Sequence, residues 1–166
     1  MKNLFAVLFV FSLLFAGCDP EIGDSCSQNI DCSTTGDLIC DTASPNGYCT
    51  IANCTESSCP EGSRCIAFYP VQSLIYECNP QTEDSISSLT PTDDCLAGEV
   101  CLSSGYCAST DYETRFCMKK CSSQDDCRGG YECRETNTYG SQKVPGENEN
   151  YATVSTVKFC GPGELP

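Results

Sequence analysis

Cysteine is the residue whose number and spacing could do the most chemistry in this sequence. The chain of 166 residues has 17 cysteines and no histidine. Without histidine, neither a Ser-His-Asp nor a Cys-His catalytic arrangement can form. A zinc site built only from cysteines normally uses Cys-x2-Cys pairs, whereas the closest pair here is Cys117 and Cys121. We therefore expect disulfide pairing, and no enzyme activity, catalytic residue, cofactor or metal site.

The first 17 residues differ in character from the rest of the chain. Lys2 is followed by an apolar run over residues 4–16 that only Ser12 interrupts. This run suits the hydrophobic region of a signal peptide and is short for a membrane-spanning helix, which needs about 20 residues. A buried core helix is the alternative, but the remaining sequence has too few apolar residues to cover a helix that is apolar on every side. Residues 1–17 are predicted to be a signal peptide.

The sequence Leu-Phe-Ala-Gly-Cys at residues 14–18 resembles the lipobox of bacterial lipoproteins, with Phe15 in place of the usual Leu. The resemblance implies that the Cys18 thiol is alkylated with diacylglycerol, that the chain is cut after Gly17, and that the new amino group is acylated. The partner would be membrane lipid, with residues 18–25 as a tether and the remainder facing the periplasm or the exterior. Two or more acyl chains hold a protein firmly on a bilayer.

The number of cysteines favours lipidation over ordinary secretory cleavage. An odd cysteine in a secreted protein needs an explanation. If Cys18 is modified, sixteen cysteines remain, which is enough for eight disulfides. The alternative is that cleavage occurs nearby and Cys18 becomes one more disulfide partner.

The composition of the remaining 149 residues predicts a fold held by cross-links. Only 21 of them are Leu, Ile, Val or Phe, about 14%, below the ~20% at which a highly charged chain is expected to be disordered. Cysteine makes up about 11%, which is typical of disulfide scaffolds. Because disulfides persist in oxidising compartments, the composition also agrees with export. We predict a small disulfide-rich fold of short β-hairpins and loops, in two tandem Cys-rich halves, with little helix after the signal peptide.

The sixteen cysteines divide evenly around a Cys-free stretch rich in Ser, Thr, Asp and Glu, which is typical of a linker. The predicted organisation is a Cys-rich domain over residues 26–78, a linker over 79–94, a second Cys-rich domain over 95–160 and a tail over 161–166. The even split predicts that each half closes its own bridges, whereas the pairing inside a half cannot be read from spacing. The expected disulfide residues are Cys26, Cys32, Cys40, Cys49, Cys54, Cys59, Cys65, Cys78, Cys95, Cys101, Cys107, Cys117, Cys121, Cys127, Cys133 and Cys160.

A smaller four-cysteine pattern recurs inside each half, at residues 26–49, 54–78 and 121–160. A third, imperfect copy holds Cys95, Cys101 and Cys107, and Cys117 is predicted to complete it. Asp precedes the second cysteine in several copies, and a Gly turn follows it. Units too small to bury a face alone indicate a stacked array.

The spacing resembles small extracellular modules of the EGF-like, EB and Dickkopf N-terminal kinds. The residues that carry the resemblance are Cys54 to Cys65, with Pro60-Glu61-Gly62 between the second and third cysteines, and their echo over residues 121–133. The Cys-x-Cys pair of EGF modules is absent. The resemblance implies an extracellular binding or spacer role.

Local patterns predict where strands and turns lie. Residues 66–69 and 74–76 are rich in β-branched and aromatic residues and predict a hairpin around residues 70–73. Alternation over residues 151–159 predicts a strand, whereas residues 136–150 predict a mobile loop. Residues 114–120 could form one helical turn. Asn46-Gly47 and Ser104-Gly105 are turn dipeptides of short hairpins.

The charge of the chain limits its partners. The formal net charge is −14, which excludes nucleic acid as a natural partner and repels anionic lipid headgroups. Asp93-Asp94 and Asp125-Asp126 could bind calcium through carboxylate oxygens. Because no segment has EF-hand spacing, we interpret these pairs as solvated charges.

Aromatic residues in or near the predicted hairpins and turns are the remaining candidates for contact. They either form a contact surface or pack on the cystines as a minimal core. These residues are Phe68, Tyr69, Tyr76, Tyr106, Tyr112 and Tyr131.

Together these features favour a non-catalytic, membrane-anchored lipoprotein whose ectodomain binds an extracytoplasmic protein or surface. One alternative is a protease inhibitor that presents residues 67–74 or 137–150 to its target. The other is an envelope spacer with no specific ligand.

Overall fold

The computed structural model describes residues 19–82 and 95–163. Cys18, the signal peptide and most of the predicted linker lie outside these residues. The described chain has one four-residue helix, α1 (Asn29–Cys32), three 3-10 turns and nine short strands. The strands are β1 (Ile39–Asp41), β2 (Tyr48–Thr50), β3 (Ser63–Phe68), β4 (Glu99–Cys101), β5 (Cys107–Ser109), β6 (Thr114–Lys119), β7 (Tyr131–Glu135), β8 (Ser141–Lys143) and β9 (Lys158–Pro162). The prediction of a small, disulfide-rich fold with short strands and little helix is confirmed.

The sixteen cysteines of the described chain form eight disulfides, and these sort into four units of four cysteines. In every unit the first cysteine pairs with the third and the second pairs with the fourth. Unit 1 has Cys26–Cys40 and Cys32–Cys49, unit 2 has Cys54–Cys65 and Cys59–Cys117, unit 3 has Cys78–Cys101 and Cys95–Cys107, and unit 4 has Cys121–Cys133 and Cys127–Cys160.

The strands explain why one pairing suits every unit. The third and fourth cysteines of each unit face one another across an antiparallel strand pair: Cys40 and Cys49, Cys65 and Cys117, Cys101 and Cys107, Cys133 and Cys160. The segment before each strand pair carries the first two cysteines, and its two disulfides cross over to the two strands. Each unit is therefore a hairpin-like pair of strands fastened to the segment that precedes it.

Unit 3 lies within unit 2 in the sequence. Unit 2 takes its fourth cysteine, Cys117, from beyond all four cysteines of unit 3. The Cys59–Cys117 and Cys78–Cys101 disulfides therefore join the first eight cysteines to the last eight. The expectation that each half closes its own bridges is wrong, as is the assignment of Cys117 to the third copy and of Cys78 to the second. The physical reason is that β3 pairs with β6, whose residues lie 46 to 56 positions further along the chain than their partners in β3, rather than with the segment that follows β3 directly.

The central sheet has the order β6-β3-β8, with both neighbours antiparallel to β3. The predicted hairpin over residues 66–76 is wrong, because β3 is already paired on both edges and residues 71–73 form a 3-10 turn. The Tyr76 carbonyl instead accepts a hydrogen bond from the Cys107 amide, which places residues 74–76 beside unit 3. The residue types of this segment indicated extended backbone, but they did not indicate which strand it would lie beside.

Three further local predictions fail. Residues 114–119 are a strand rather than a helical turn. Residues 136–150 include β8, whose residues are all buried and which pairs with β3, so this segment is not a free loop. The predicted strand over residues 151–159 begins only at Lys158, because residues 151–153 form a turn.

Two turn predictions are confirmed. Asn46 and Gly47, at the end of the connection over residues 42–47 between β1 and β2, both have positive φ, 57° and 64°, a conformation that Asn and Gly adopt more readily than other residues. Gly105 turns the chain between β4 and β5 with φ of 84°. A Cβ at Gly47 would overlap the carbonyl oxygen of Cys26, so glycine is required at this turn by space as well as by conformation.

The core is a thin layer of cystines and a few large side chains. The largest fully buried side chains include Tyr48, Ile66, Leu102, Tyr131 and Phe159. Full burial of an apolar side chain contributes about 1.5–3 kcal/mol, so this small set cannot alone offset the entropy of ordering the chain. The disulfides supply the remainder by restricting the unfolded state.

Candidate functional site

The first candidates for chemistry are the sulfur atoms, and the disulfides account for those in the described chain. Several groups of three cysteines are close enough to hold a metal ion, but their members are disulfide-bonded. A disulfide sulfur carries no thiolate, which is the form that binds a metal or attacks a substrate. Sulfur therefore has a structural role throughout residues 26–160.

The acidic pairs are the second candidates. Asp126 Oδ2 accepts hydrogen bonds from the backbone amides of Ser122 and Ser123 at 2.7 and 3.0 Å. These bonds hold the pKa of Asp126 below its ordinary value. Asp31 does the same in unit 1, accepting from Ser27 and Gln28. The Asp before the second cysteine therefore caps a turn, and Asp93-Asp94 lies outside the described residues.

Amide side chains repeat this correspondence between units 1 and 4. Asn29 accepts a hydrogen bond from the Cys40 amide, and Gln124 accepts one from the Cys133 amide. Each lies three residues after the first cysteine of its unit and bonds to the third cysteine. These contacts satisfy backbone groups at strand edges. They explain the geometry that units 1 and 4 share, without the need for a ligand.

Arg128 fastens unit 4 to unit 1. Its guanidinium carbon lies 4.2 Å from the ring centroid of Tyr131 and 5.7 Å from that of Tyr48. It donates hydrogen bonds to the carbonyl oxygens of Gly23, Pro45 and Gly47. These partners are backbone carbonyls and aromatic rings of the same chain, so we assign Arg128 a structural role.

A partly buried cluster of Glu113, Arg115, Tyr69 and Tyr151 joins the segment at Tyr151 to the central sheet. Arg115 donates two hydrogen bonds to the Glu113 carboxylate, at 2.7 and 3.1 Å, and the Tyr151 hydroxyl donates a third. The Tyr69 ring packs edge-on against Tyr151, with centroids 6.3 Å apart. Burial raises the pKa of both tyrosines, Tyr69 and Tyr151, so they stay protonated at neutral pH. The cluster holds Tyr151, directly after the segment 136–150 whose sequence predicted mobility, against the central sheet.

One cleft lies between unit 1, the central sheet and unit 4. Its volume is about 260 Å³, and its walls include Phe68, Phe116 and Met118 with Asp41 and Arg134 as charged residues. Small-molecule sites usually measure about 300–1,000 Å³ and enclose most of the ligand. The cleft is therefore small for such a site.

The structure places part of each of the two loops considered for protease inhibition in the folded body. In the first, Ala67 and Tyr69 are buried and residues 71–73 turn as a 3-10 helix. In the second, Ser141 to Val144 are buried and contribute β8. The exposed parts are residues 70–72 of the first segment and residues 138–139 and 147–150 of the second.

The aromatic candidates divide into two groups. Tyr69 and Tyr131 are buried, and Phe68 is half-buried against Phe116 and Phe159. Tyr76, Tyr106 and Tyr112 are exposed, by 59%, 37% and 62%. All three exposed rings lie in or beside unit 3, within residues 75–112.

We call this surface the unit 3 face, defined by Ile75, Tyr76, Leu96, Tyr106 and Tyr112. These are five of the eight exposed large apolar side chains in the described residues. These five side chains are grouped in sequence around unit 3, and grouped exposed apolar side chains are candidates for an interaction site. Sequence reasoning found the three tyrosines but not Ile75, Leu96 or the charge around them. The signal was present, since the sequence from residue 65 to residue 114 contains no Lys or Arg and eight acidic residues.

The comparison with protein-family models gives no match, and no curated protein or solved structure matches the chain. Over residues 19–82 and 95–163, no helix has both the length and the apolar character of a membrane span. The eight disulfides indicate an oxidising compartment outside the cytoplasm.

Proposed function

We propose that this protein is a lipid-anchored, non-catalytic binding protein of a bacterial cell envelope, held in the membrane through Cys18. The observation that carries the binding role is the unit 3 face, a group of exposed aromatic and aliphatic side chains on a unit that its own disulfides hold rigid. The eight disulfides support the location outside the cytoplasm. The lipobox-like residues 14–18 support the anchor.

The start of the folded body supports a short tether. Ile22 is 6% exposed and packs in the main core. The Gly23 amide donates to the Cys49 carbonyl, and the Cys49 amide donates to the Asp24 carbonyl. Only residues 19–21 then separate Cys18 from the body. At about 3.5 Å per extended residue, the anchored domain would stand within roughly 15 Å of the lipid.

The anchor is tested by fractionating cells that produce the full chain or its Cys18→Ser variant. We expect the unaltered protein to stay with membranes in high salt and to be released by detergent, while Cys18→Ser is recovered without detergent. Intact mass should show acyl chains on Cys18. Ser25→Ala, at the other end of the predicted tether, serves as the control and should stay with membranes.

The anchor proposal fails if the unaltered protein is recovered free of membranes, or if its mass shows an unmodified Cys18. It also fails if Cys18 is found in a disulfide. A spacer role is favoured instead if the anchor is present and substitutions across the unit 3 face do not change the affinity of the protein for any partner tested.

A further inference from the structure

One aromatic ring of the unit 3 face, Tyr106, lies opposite a carboxylate, that of Glu77. Glu77 and Tyr106 are partners in an isolated antiparallel β-bridge. Directly opposed residues of an antiparallel pair project from the same face, with Cβ atoms about 4.5–5.5 Å apart. Both residues are exposed. Solvent can therefore reach a phenol ring and a carboxylate that lie side by side.

The backbone holds this pair in place. The Cys78 amide donates to the Gly105 carbonyl at 3.0 Å, and the Cys107 amide donates to the Tyr76 carbonyl at 2.9 Å. Cys78 and Cys107 are themselves bridged, to Cys101 and Cys95. The backbone therefore has little conformational entropy to lose on binding, which favours affinity.

The charge of the surrounding chain is of one sign. All eight Lys and Arg residues that follow the signal peptide lie at position 64 or before, or at position 115 or after. None of the four ion pairs formed by the described residues involves Glu77. Among the described residues, no Lys or Arg nitrogen therefore lies within ion-pair distance of the Glu77 carboxylate.

We propose that the unit 3 face binds a Lys- or Arg-rich segment of a partner protein, with a cationic side chain seated between the Tyr106 ring and the Glu77 carboxylate. A cation is attracted to the face of an aromatic ring and to the adjacent carboxylate. Ile75, an exposed residue two positions before Glu77, would pack against the aliphatic stem of the same side chain. The proposal deepens the binding role proposed above and does not depend on the lipid anchor.

The test measures binding of two fluorescein-labelled peptides to the purified full chain in uncharged detergent. One peptide alternates Arg and Ala, and the other has Glu in place of every Arg. We expect fluorescence anisotropy to show saturable binding of the Arg peptide alone, weakening as salt rises. Tyr106→Ser and Glu77→Gln should each weaken binding by about fivefold or more, while Tyr106→Phe, which keeps a π face, should bind nearly as well as the unaltered chain.

Matched controls separate this site from general attraction to an acidic protein. Tyr139→Ser removes an exposed ring and Glu61→Gln an exposed carboxylate, both outside residues 65–114, and both should leave binding unchanged. The proposal is overturned if Glu61→Gln weakens binding as much as Glu77→Gln, if Tyr106→Ser has no effect while its thermal unfolding is unaltered, or if the Arg peptide does not bind. In each case the fractionation result for Cys18→Ser is unaffected, so failure of this site and failure of the anchor are distinguishable.

Discussion

Removal of the Arg128 side chain should destabilise the protein more than any other single change of a basic residue. The side chain joins unit 4 to two other backbone segments, through the carbonyl oxygens of Gly23 in one and of Pro45 and Gly47 in the other. It also covers the rings of Tyr48 and Tyr131. In Arg128→Ala, the Gly23 and Gly47 carbonyls lose the Arg128 donor, and unit 4 keeps the Tyr131 hydrogen bond to Pro45 and the Tyr131 ring contact with Tyr48.

The expected cost follows from these contacts. A hydrogen bond from a charged donor contributes about 1.5–3 kcal/mol, and a cation over an aromatic ring about 0.5–2 kcal/mol. Arg128 is only half-buried, so water can replace part of what is lost, and contacts made by one group do not add. We expect Arg128→Ala to lower the free energy of unfolding by about 2–4 kcal/mol. Arg128→Lys, which keeps the charge but cannot reproduce the planar donor geometry, should recover less than half of this loss.

The assay is guanidinium unfolding with the disulfides intact, followed by tyrosine fluorescence. Arg64→Ala is the matched control, because Arg64 makes one loose ion pair with Glu56 at 4.0 Å with both side chains well exposed. Such a pair contributes about 0–1 kcal/mol. The reasoning is refuted if Arg128→Ala costs no more than Arg64→Ala, or if Arg128→Lys is as stable as the unaltered protein.

Three other changes have expected outcomes. Replacing Cys59 and Cys117 together by Ala should cost about 4 kcal/mol, because their loop has a sequence separation of 58; a thermal melt unchanged from wild type would contradict this. Gly47→Ala should cost at least about 2 kcal/mol because of its positive φ and its clash with Cys26, whereas Gly129→Ala, where a Cβ meets nothing within 4 Å, should change stability by less than about 0.5 kcal/mol. Hydrogen bonds lower the pKa of Asp126 in the folded state. The contribution of Asp126 to stability is therefore present above the unfolded pKa of about 3.9 and is lost as pH falls through the folded pKa. Asp126→Asn should lose less stability on acidification than wild type, and equal acid sensitivity of the two proteins would argue against the cap.

Local features of the fold could be predicted from the sequence because they depend on neighbouring residues. The turn at Asn46-Gly47 follows from the need for positive φ at both positions. The Gly that follows the second cysteine, as in Gly62 and Gly130, has φ of 86° in both cases, which only glycine adopts freely. The disulfide-rich class followed from composition alone.

Long-range pairing could not be predicted in the same way. The strand at Cys65 has the residues of a hairpin arm, but whether its partner is residues 74–76 or residues 114–119 depends on which surfaces are buried after the whole chain collapses. Spacing assigned Cys78 to unit 2 because Cys78 is the next cysteine in order. In the structure the fourth cysteine of unit 2 is Cys117, because unit 3 is inserted in the sequence between β3 and β6.

The candidate surface was visible in part for a similar reason. Tyr76, Tyr106 and Tyr112 could be named from their place near turns, but the same criterion also selected Tyr69 and Tyr131, which are buried. Exposure depends on what packs above a residue, and the units that cover Tyr131 are distant in sequence. The pairing of Glu77 with Tyr106 likewise requires the register of the β-bridge.

The central claim is that four crossed two-disulfide units, the third placed inside the second, hold this chain together. Digestion of the unreduced native protein and mass spectrometry of the linked peptides tests it most directly. The structure predicts links between Cys59 and Cys117 and between Cys78 and Cys101. Links confined to residues 26–78 and to residues 95–160, or free thiols at these four positions, would contradict it.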